Sequence, residues 1–199
     1  MLILSLFTVT VGYTWTMNER YTTLYTEAHI THEMARIAQE IIAIHHENAP
    51  LFVALLRGAA PFASKLLFEI AKQAPGMHPE LDYMMVRTYG SGKTAGTPEI
   101  ITDITPGTEV KDRTVIILDD VLDKGVTAQF VRNHFLDRGA QNVQLAVLVQ
   151  KDTERYHPIT ADYYGFTAHD EWLVGMGMDD ADLTHEGNRW LGEIREIIR

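Results

Sequence analysis

A chain of 199 residues, 46% hydrophobic and 22% charged, has globular composition and the length to bury one substantial core, so a single domain is expected. A formal net charge of -10 and a pI near 5.3 argue against nucleic acid and anionic membrane as partners, so any phosphate-bearing ligand must be held by local groups. The absence of cysteine excludes disulfides, thiolate metal sites and cysteine nucleophiles, and a cytoplasmic location is expected.

Residues 1–16, MLILSLFTVTVGYTWT, are apolar, yet no Lys or Arg precedes Arg20, no small-x-small cleavage site follows, and the run is too short to span a bilayer. They are read as an extension ahead of Met17, with 17–199 as the folded domain; an added edge strand or a disordered tail is the alternative. From Thr31 to about Glu47, the residues Met34, Ile37, Ala38, Ile41 and Ile42 recur at helical spacing behind a capping Thr31. Leu51 to Leu56 is a continuous apolar run that ends at Arg57-Gly58. Pro61 suits the first position of a helix carrying Phe62, Leu66, Leu67 and Ile70.

A strand is predicted from Leu81 to Tyr89, then the glycine-rich loop GSGKTAGT, then a returning strand from Glu99 to Ile104. Thr114 to Leu118 is a strand of buried type, Asp119 to Gly125 its exit loop, and a helix runs to about Arg138 before Gly139 stops it. Val143 to Val149, Asp162 to Phe166 and Trp172 to Met178 supply further strands, and Asn188 to Ile198 a final helix. Strands alternating with helices predict an α/β fold with a central, mostly parallel sheet flanked by helices on both faces.

The most informative stretch is VIILDDVLDKGVTA, Val115 to Ala128. Ligands of open parallel sheets bind at the carboxyl ends of strands, and here two adjacent acids leave such an end just before a glycine turn and a helix start. Asp119 and Asp120 can accept hydrogen bonds from vicinal hydroxyls, and the backbone N–H groups from Asp123 to Thr127 suit a phosphate. A ribose phosphate offers both features. On spacing alone, a structural acidic turn or a Mg²⁺-binding acid pair fits as well.

The stretch resembles the signature of type I phosphoribosyltransferases, in which an apolar strand, two acids, two apolar residues and Asp/Ala-Thr-Gly-x-Thr form the loop that binds phosphoribosyl pyrophosphate (PRPP). The resemblance is to the hypoxanthine-guanine branch and extends over roughly Arg20 to Arg199. It implies the type I fold, with a small hood from the N- and C-terminal segments. It further implies that Asp119, Asp120, Asp123, Lys124, Gly125, Val126 and Thr127 hold the ribose and 5-phosphate, and that Asp123 is the general base. Asp119 stands where Glu is common, and Lys124 where Thr is common.

Three further segments follow the family in order. Arg57-Gly58 resembles the pyrophosphate loop, with Arg57 in place of the usual Lys. Thr88-Tyr89 and the following glycine-rich loop resemble the catalytic lid. Gly92-Lys93-Thr94 imitates the end of a nucleotide phosphate loop, but Arg87 stands where that motif needs its first glycine. Lys151 and the segment from Trp172 to Asp179 resemble the purine site. By resemblance Lys151 donates to the 6-oxo group, Trp172 stacks on the base, the backbone of Leu173 and Asp179 bonds the base edge, and Mg²⁺ is held near Asp119, Asp120 and Asp179. The expected substrates are PRPP and a 6-oxopurine, in a homodimer or homotetramer. A PRPP-sensing RNA-binding regulator and a xanthine or pyrimidine transferase of the same fold are the rivals.

Overall fold

The computed structural model describes residues 20–89, 96–180, 182 and 186–198; the apolar stretch 1–16 and most of the loop after Tyr89 lie outside these residues. In chain order the elements are β1 (Tyr21–Tyr25), α1 (Glu27–His45), β2 (Leu51–Leu56), α2 (Ala60–Gln73), β3 (Glu80–Tyr89), β4 (Thr97–Thr102), β5 (Thr114–Leu122), α3 (Val126–Asp137), β6 (Asn142–Lys151), β7 (Tyr163–Ala168), β8 (Leu173–Val174) and β9 (Ile194–Ile197).

Six strands form one sheet in the order β4-β3-β2-β5-β6-β7, parallel except for the β3–β4 pair. Its central strands are buried on both faces, which explains their unbroken Val, Ile and Leu runs. Period-two alternation divides them between two cores. Phe52, Ala54, Ile116, Leu118, Ala146 and Leu148 pack with α1 and α2, while Val53, Leu55, Val115, Ile117, Leu145 and Val147 pack with Ala128, Val131 and Phe135 of α3. From β2 the chain moves to β3 on one side, and β5 then takes the other side of β2. That reversal opens a crevice at the carboxyl ends of β2 and β5.

Three expected boundaries are corrected. Helix α1 starts earlier than Thr31, because Thr26 caps it: the Thr26 side chain accepts from the His29 N–H and the His29 ring accepts from the Thr26 N–H, both at 3.4 Å. Strand β5 continues to Leu122 and stays paired with β6, so Asp119 and Asp120 are strand residues rather than loop residues. The final helix is absent. Turns occupy 186–190, and Ile194–Ile197 is a strand paired antiparallel with β1 and β8. Tertiary pairing overrides the local helical spacing there.

The resulting three-stranded sheet, β1-β9-β8, is the hood. Asp180 fastens it: fully buried, it accepts from the Tyr21 hydroxyl at 2.7 Å and pairs with Arg20 at 3.0 Å. Among the described residues no helix is long and apolar enough to cross a membrane.

Candidate active site

The crevice is built from four short segments that different parts of the sequence deliver to one place. From the end of β2, Arg57-Gly58 turns toward β5, the Leu56–Arg57 peptide being cis. Gly58 lies against the Asp120 carboxylate so closely that a Cβ there would stand 2.1 Å from Oδ2. On its other side Gly58 meets the turn that leaves β8: a Cβ at Gly177 would stand 1.8 Å from the Gly58 carbonyl oxygen. Glycine is required twice because two backbones and a carboxylate share one small volume.

Asp119 and Asp120 sit side by side, half-buried, with Asp119 Oδ1 accepting from the Asp120 N–H at 3.0 Å and Asp120 Oδ1 from the Val121 N–H at 2.9 Å. Burial pushes the Asp119 carboxyl well above the ordinary carboxylate range, and the charge of Asp120 pushes it further. Asp120 is also raised by burial, an effect reduced by its hydrogen bond with Asp119. The two acids titrate as a pair.

Beyond the pair, Asp120, Val121, Asp123, Lys151, Trp172, Leu173, Met178 and Asp179 line a cleft of about 210 Å³. The expected base residues Lys151, Trp172, Leu173 and Asp179 therefore share one cavity with two of the expected PRPP residues, Asp120 and Asp123. Lys151 is the last residue of β6 rather than a residue beyond it; its side chain is largely buried and its ammonium lies 3.8 Å from Asp123 Oδ2. Thr153 donates to Asp123 Oδ1 at 3.1 Å. Asp123 is thus held from one side by a hydroxyl and faced from another by a cation.

Gly125 precedes α3 with a left-handed φ of 78°, and a Cβ on it would meet Ile159 at 2.6 Å. A glycine there has no side chain to cap the helix, which leaves the first N–H groups of α3, from Val126 and Thr127 onward, without a side-chain cap, as a helix start that takes an anion requires. Thr88, at the foot of the expected lid, reaches this helix start, its hydroxyl 3.1 Å from that of Thr127. Lys124 turns its ammonium to the Glu154 carbonyl at 3.1 Å, and to Asp123 at 4.0 Å. For Tyr89 only the backbone, at the end of β3, belongs to the described residues.

Three contributors, Thr153, Arg189 and Glu186, were not foreseen. Thr153 carries no motif of its own. Arg189 had a faint signal, being the first Lys or Arg after Arg155 in a long neutral and acidic stretch. It is largely buried, pairs with Asp179 at 2.9 Å and with Glu186, and donates to the Gly177 carbonyl. Glu186 also pairs with Arg57.

As a metal site the arrangement is sparse. Among the described residues no three His, Asp or Glu side chains gather closely enough to enclose an ion. Asp120 in the cleft, with Asp119 beside it, fits Mg²⁺ that takes most of its ligands from water and substrate phosphate, which is how Mg²⁺ is usually held.

Residues 20–181 match the sequence profile of the phosphoribosyl transferase domain. A hypoxanthine-guanine phosphoribosyltransferase of Streptococcus agalactiae is 32% identical over 176 residues, 88% of this chain and 93% of that protein. The enzyme of the same name from Streptococcus pyogenes is 29% identical over the same shares. A crystal structure of a hypoxanthine phosphoribosyltransferase from Staphylococcus aureus superimposes with a TM-score of 0.80 at 26% identity, covering 89% of this chain and 91% of that one.

Proposed function

The chain belongs to the phosphoribosyl transferase domain family, and we infer that it is the purine-salvage enzyme of the hypoxanthine-guanine branch. It transfers the 5-phosphoribosyl group from PRPP to a 6-oxopurine, hypoxanthine or guanine, and releases pyrophosphate. The observation that carries this reading is the shared cleft. A buried ammonium, Lys151, the acid Asp123 paired with it, and an indole, Trp172, line the same cleft of about 210 Å³. A fixed donor favours an oxo group and opposes the amino group of adenine.

In this reading Asp119 and Asp120 accept from the ribose hydroxyls, the start of α3 receives the 5-phosphate, and Arg57 and Gly58 face the pyrophosphate. An imidazole-ring nitrogen of the purine forms the bond to the anomeric carbon as the bond to the pyrophosphate oxygen breaks. Asp123 takes the proton from the other imidazole nitrogen. Asp119, Asp120 and Asp179 would hold Mg²⁺, which would neutralise the leaving charge. Closure of the segment after Thr88 and Tyr89 excludes water that would otherwise hydrolyse PRPP. The expected assembly is a homodimer or homotetramer, and the expected compartment the cytoplasm.

A pyrophosphate-release assay with PRPP, Mg²⁺ and hypoxanthine, guanine, xanthine, adenine, uracil and orotate tests the reading. Turnover with hypoxanthine or guanine, and none with adenine or the pyrimidines, is the expected result. PRPP binding with no transfer to any base would turn the reading toward a PRPP-sensing regulator.

Within that assay Lys151→Ala is expected to raise the KM for the oxopurine roughly tenfold or more, with the KM for PRPP changed much less. A donor lost to a buried oxo group costs about 1–3 kcal/mol. Equal changes in both constants would remove Lys151 from the base site.

A further inference from the structure

Arg57 and Arg189, the two guanidinium groups at the pyrophosphate end of the crevice, differ in how far the protein already uses them. Arg189 is committed: its Nε pairs with Glu186, one terminal nitrogen with the Gly177 carbonyl and the other with Asp179. It is also largely buried, as a structural cation would be. Arg57 is 57% exposed at its side chain, and the Glu186 carboxylate pairs with it through one terminal nitrogen. Glu186 therefore sits between two cations, one of which is fixed and the other able to move.

We propose that the Glu186 carboxylate is an internal stand-in for the leaving group: it occupies Arg57 in the free protein and is displaced by the pyrophosphate of PRPP, setting the affinity for that substrate. The proposal rests on the reading of Arg57-Gly58 as the pyrophosphate loop. Three features carry it. A carboxylate and a phosphate oxygen make the same charge-assisted bond to a guanidinium, so they compete for it. Displacement is inexpensive, because a Glu186 that releases Arg57 keeps Arg189, and because an exposed ion pair is worth little. And the site adjoins the ribose-binding pair: Arg57 immediately precedes Gly58, which rests on the Asp120 carboxylate. The Arg57 hydrogen bond, followed by the pairing with Arg189, holds the Glu186 carboxyl below its ordinary range, so it is fully charged at neutral pH.

The test is calorimetric titration of the full chain with inorganic pyrophosphate in the presence of Mg²⁺. Glu186→Gln is expected to tighten binding roughly three- to tenfold, because a full charge leaves both the guanidinium and the neighbourhood of a multiply charged anion. Glu186→Gly provides a second variant. The backbone at this residue has a left-handed φ of 65°, which glycine adopts without strain, so the same tightening is expected from a protein that folds at least as readily. Glu47→Gln, which removes one charge from an 89% exposed side chain in the loop ahead of β2, controls for net charge and should leave the affinity unchanged. In an Arg57→Gln background, Glu186→Gln should have no effect, since the contested cation is gone.

Unchanged or weaker binding by both Glu186 variants overturns the proposal and makes Glu186 a brace for the two arginines. A tightening that persists without Arg57 overturns it as well. No pyrophosphate binding by the wild-type protein would sink the proposal together with the reading of the loop on which it rests.

Discussion

Asp123→Asn is expected to lower turnover by roughly 10²–10⁴ at saturating PRPP and base, with the affinity for PRPP little changed. The substitution preserves volume and leaves an amide oxygen to accept from Thr153, which holds Oδ1 at 3.1 Å, so the side chain should stay in place. What is lost is the capacity to take a proton. Lys151, 3.8 Å away, cannot substitute: as an ammonium it has no lone pair to offer. The comparison that isolates the effect is Asp120→Asn, which should weaken PRPP binding as well, because that acid is the one proposed to accept from the ribose. If Asp123→Asn turns over near the wild-type rate, proton transfer by this residue is not part of the reaction.

The second large effect is expected at a residue with no side chain. Gly58→Ala would set a methyl carbon 2.1 Å from Asp120 Oδ2 and 2.6 Å from its Cγ, far inside van der Waals contact. Asp120 is short, and its Oδ1 is tied to the Val121 N–H at 2.9 Å, so it cannot swing aside and keep that bond. Overpacking of this kind costs about 1–3 kcal/mol, and here it falls on the acid that should hold the ribose. PRPP affinity is therefore expected to fall roughly 10- to 100-fold, measured by calorimetry, with a lowered melting temperature. Gly76→Ala is the matched control, since a Cβ there meets nothing within 4 Å. Equal behaviour of the two variants would show that Asp120 does not depend on the close approach of Gly58.

The large sheet was legible because its strands are buried on both faces. Leu51–Leu56 has the same limits in sequence and in structure, since Asn48, Ala49 and Pro50 before it and Arg57-Gly58 after it break the apolar run sharply. The hood was not legible. Strand β9 is four residues long, and its inward residues Ile194 and Ile197 are three apart, which from one sequence alone reads as a helix face. Only pairing with β1, nearly the whole chain length away, makes it a strand. Among site residues, those in the VIILDDVLDKGVTA run were findable because the chemistry is contiguous. Thr153 and Glu186 act through contacts across the fold that no local pattern marks, and Arg189 had only its isolation in a neutral and acidic stretch to mark it. The continuation of β5 through both acids was missed for a related reason: Asp is a poor strand former, yet β6 keeps Asp119 opposite Val147 and Val121 opposite Val149.

The pairing of β1 with β9 also orders events during synthesis. A nascent chain that has left the ribosome as far as Ala168 contains every strand of the six-stranded sheet, including the segments that bear Arg57, Gly58 and the acid pair. Strand β1 emerges first of the described strands, yet it waits for the partner that emerges last of them, and until β9 arrives β8 has no strand neighbour in the hood either. Translation therefore delivers the carboxyl ends of β2 and β5 before the hood strand that carries Leu173 can find its partner, and of the two described sheets the hood is the last to be complete.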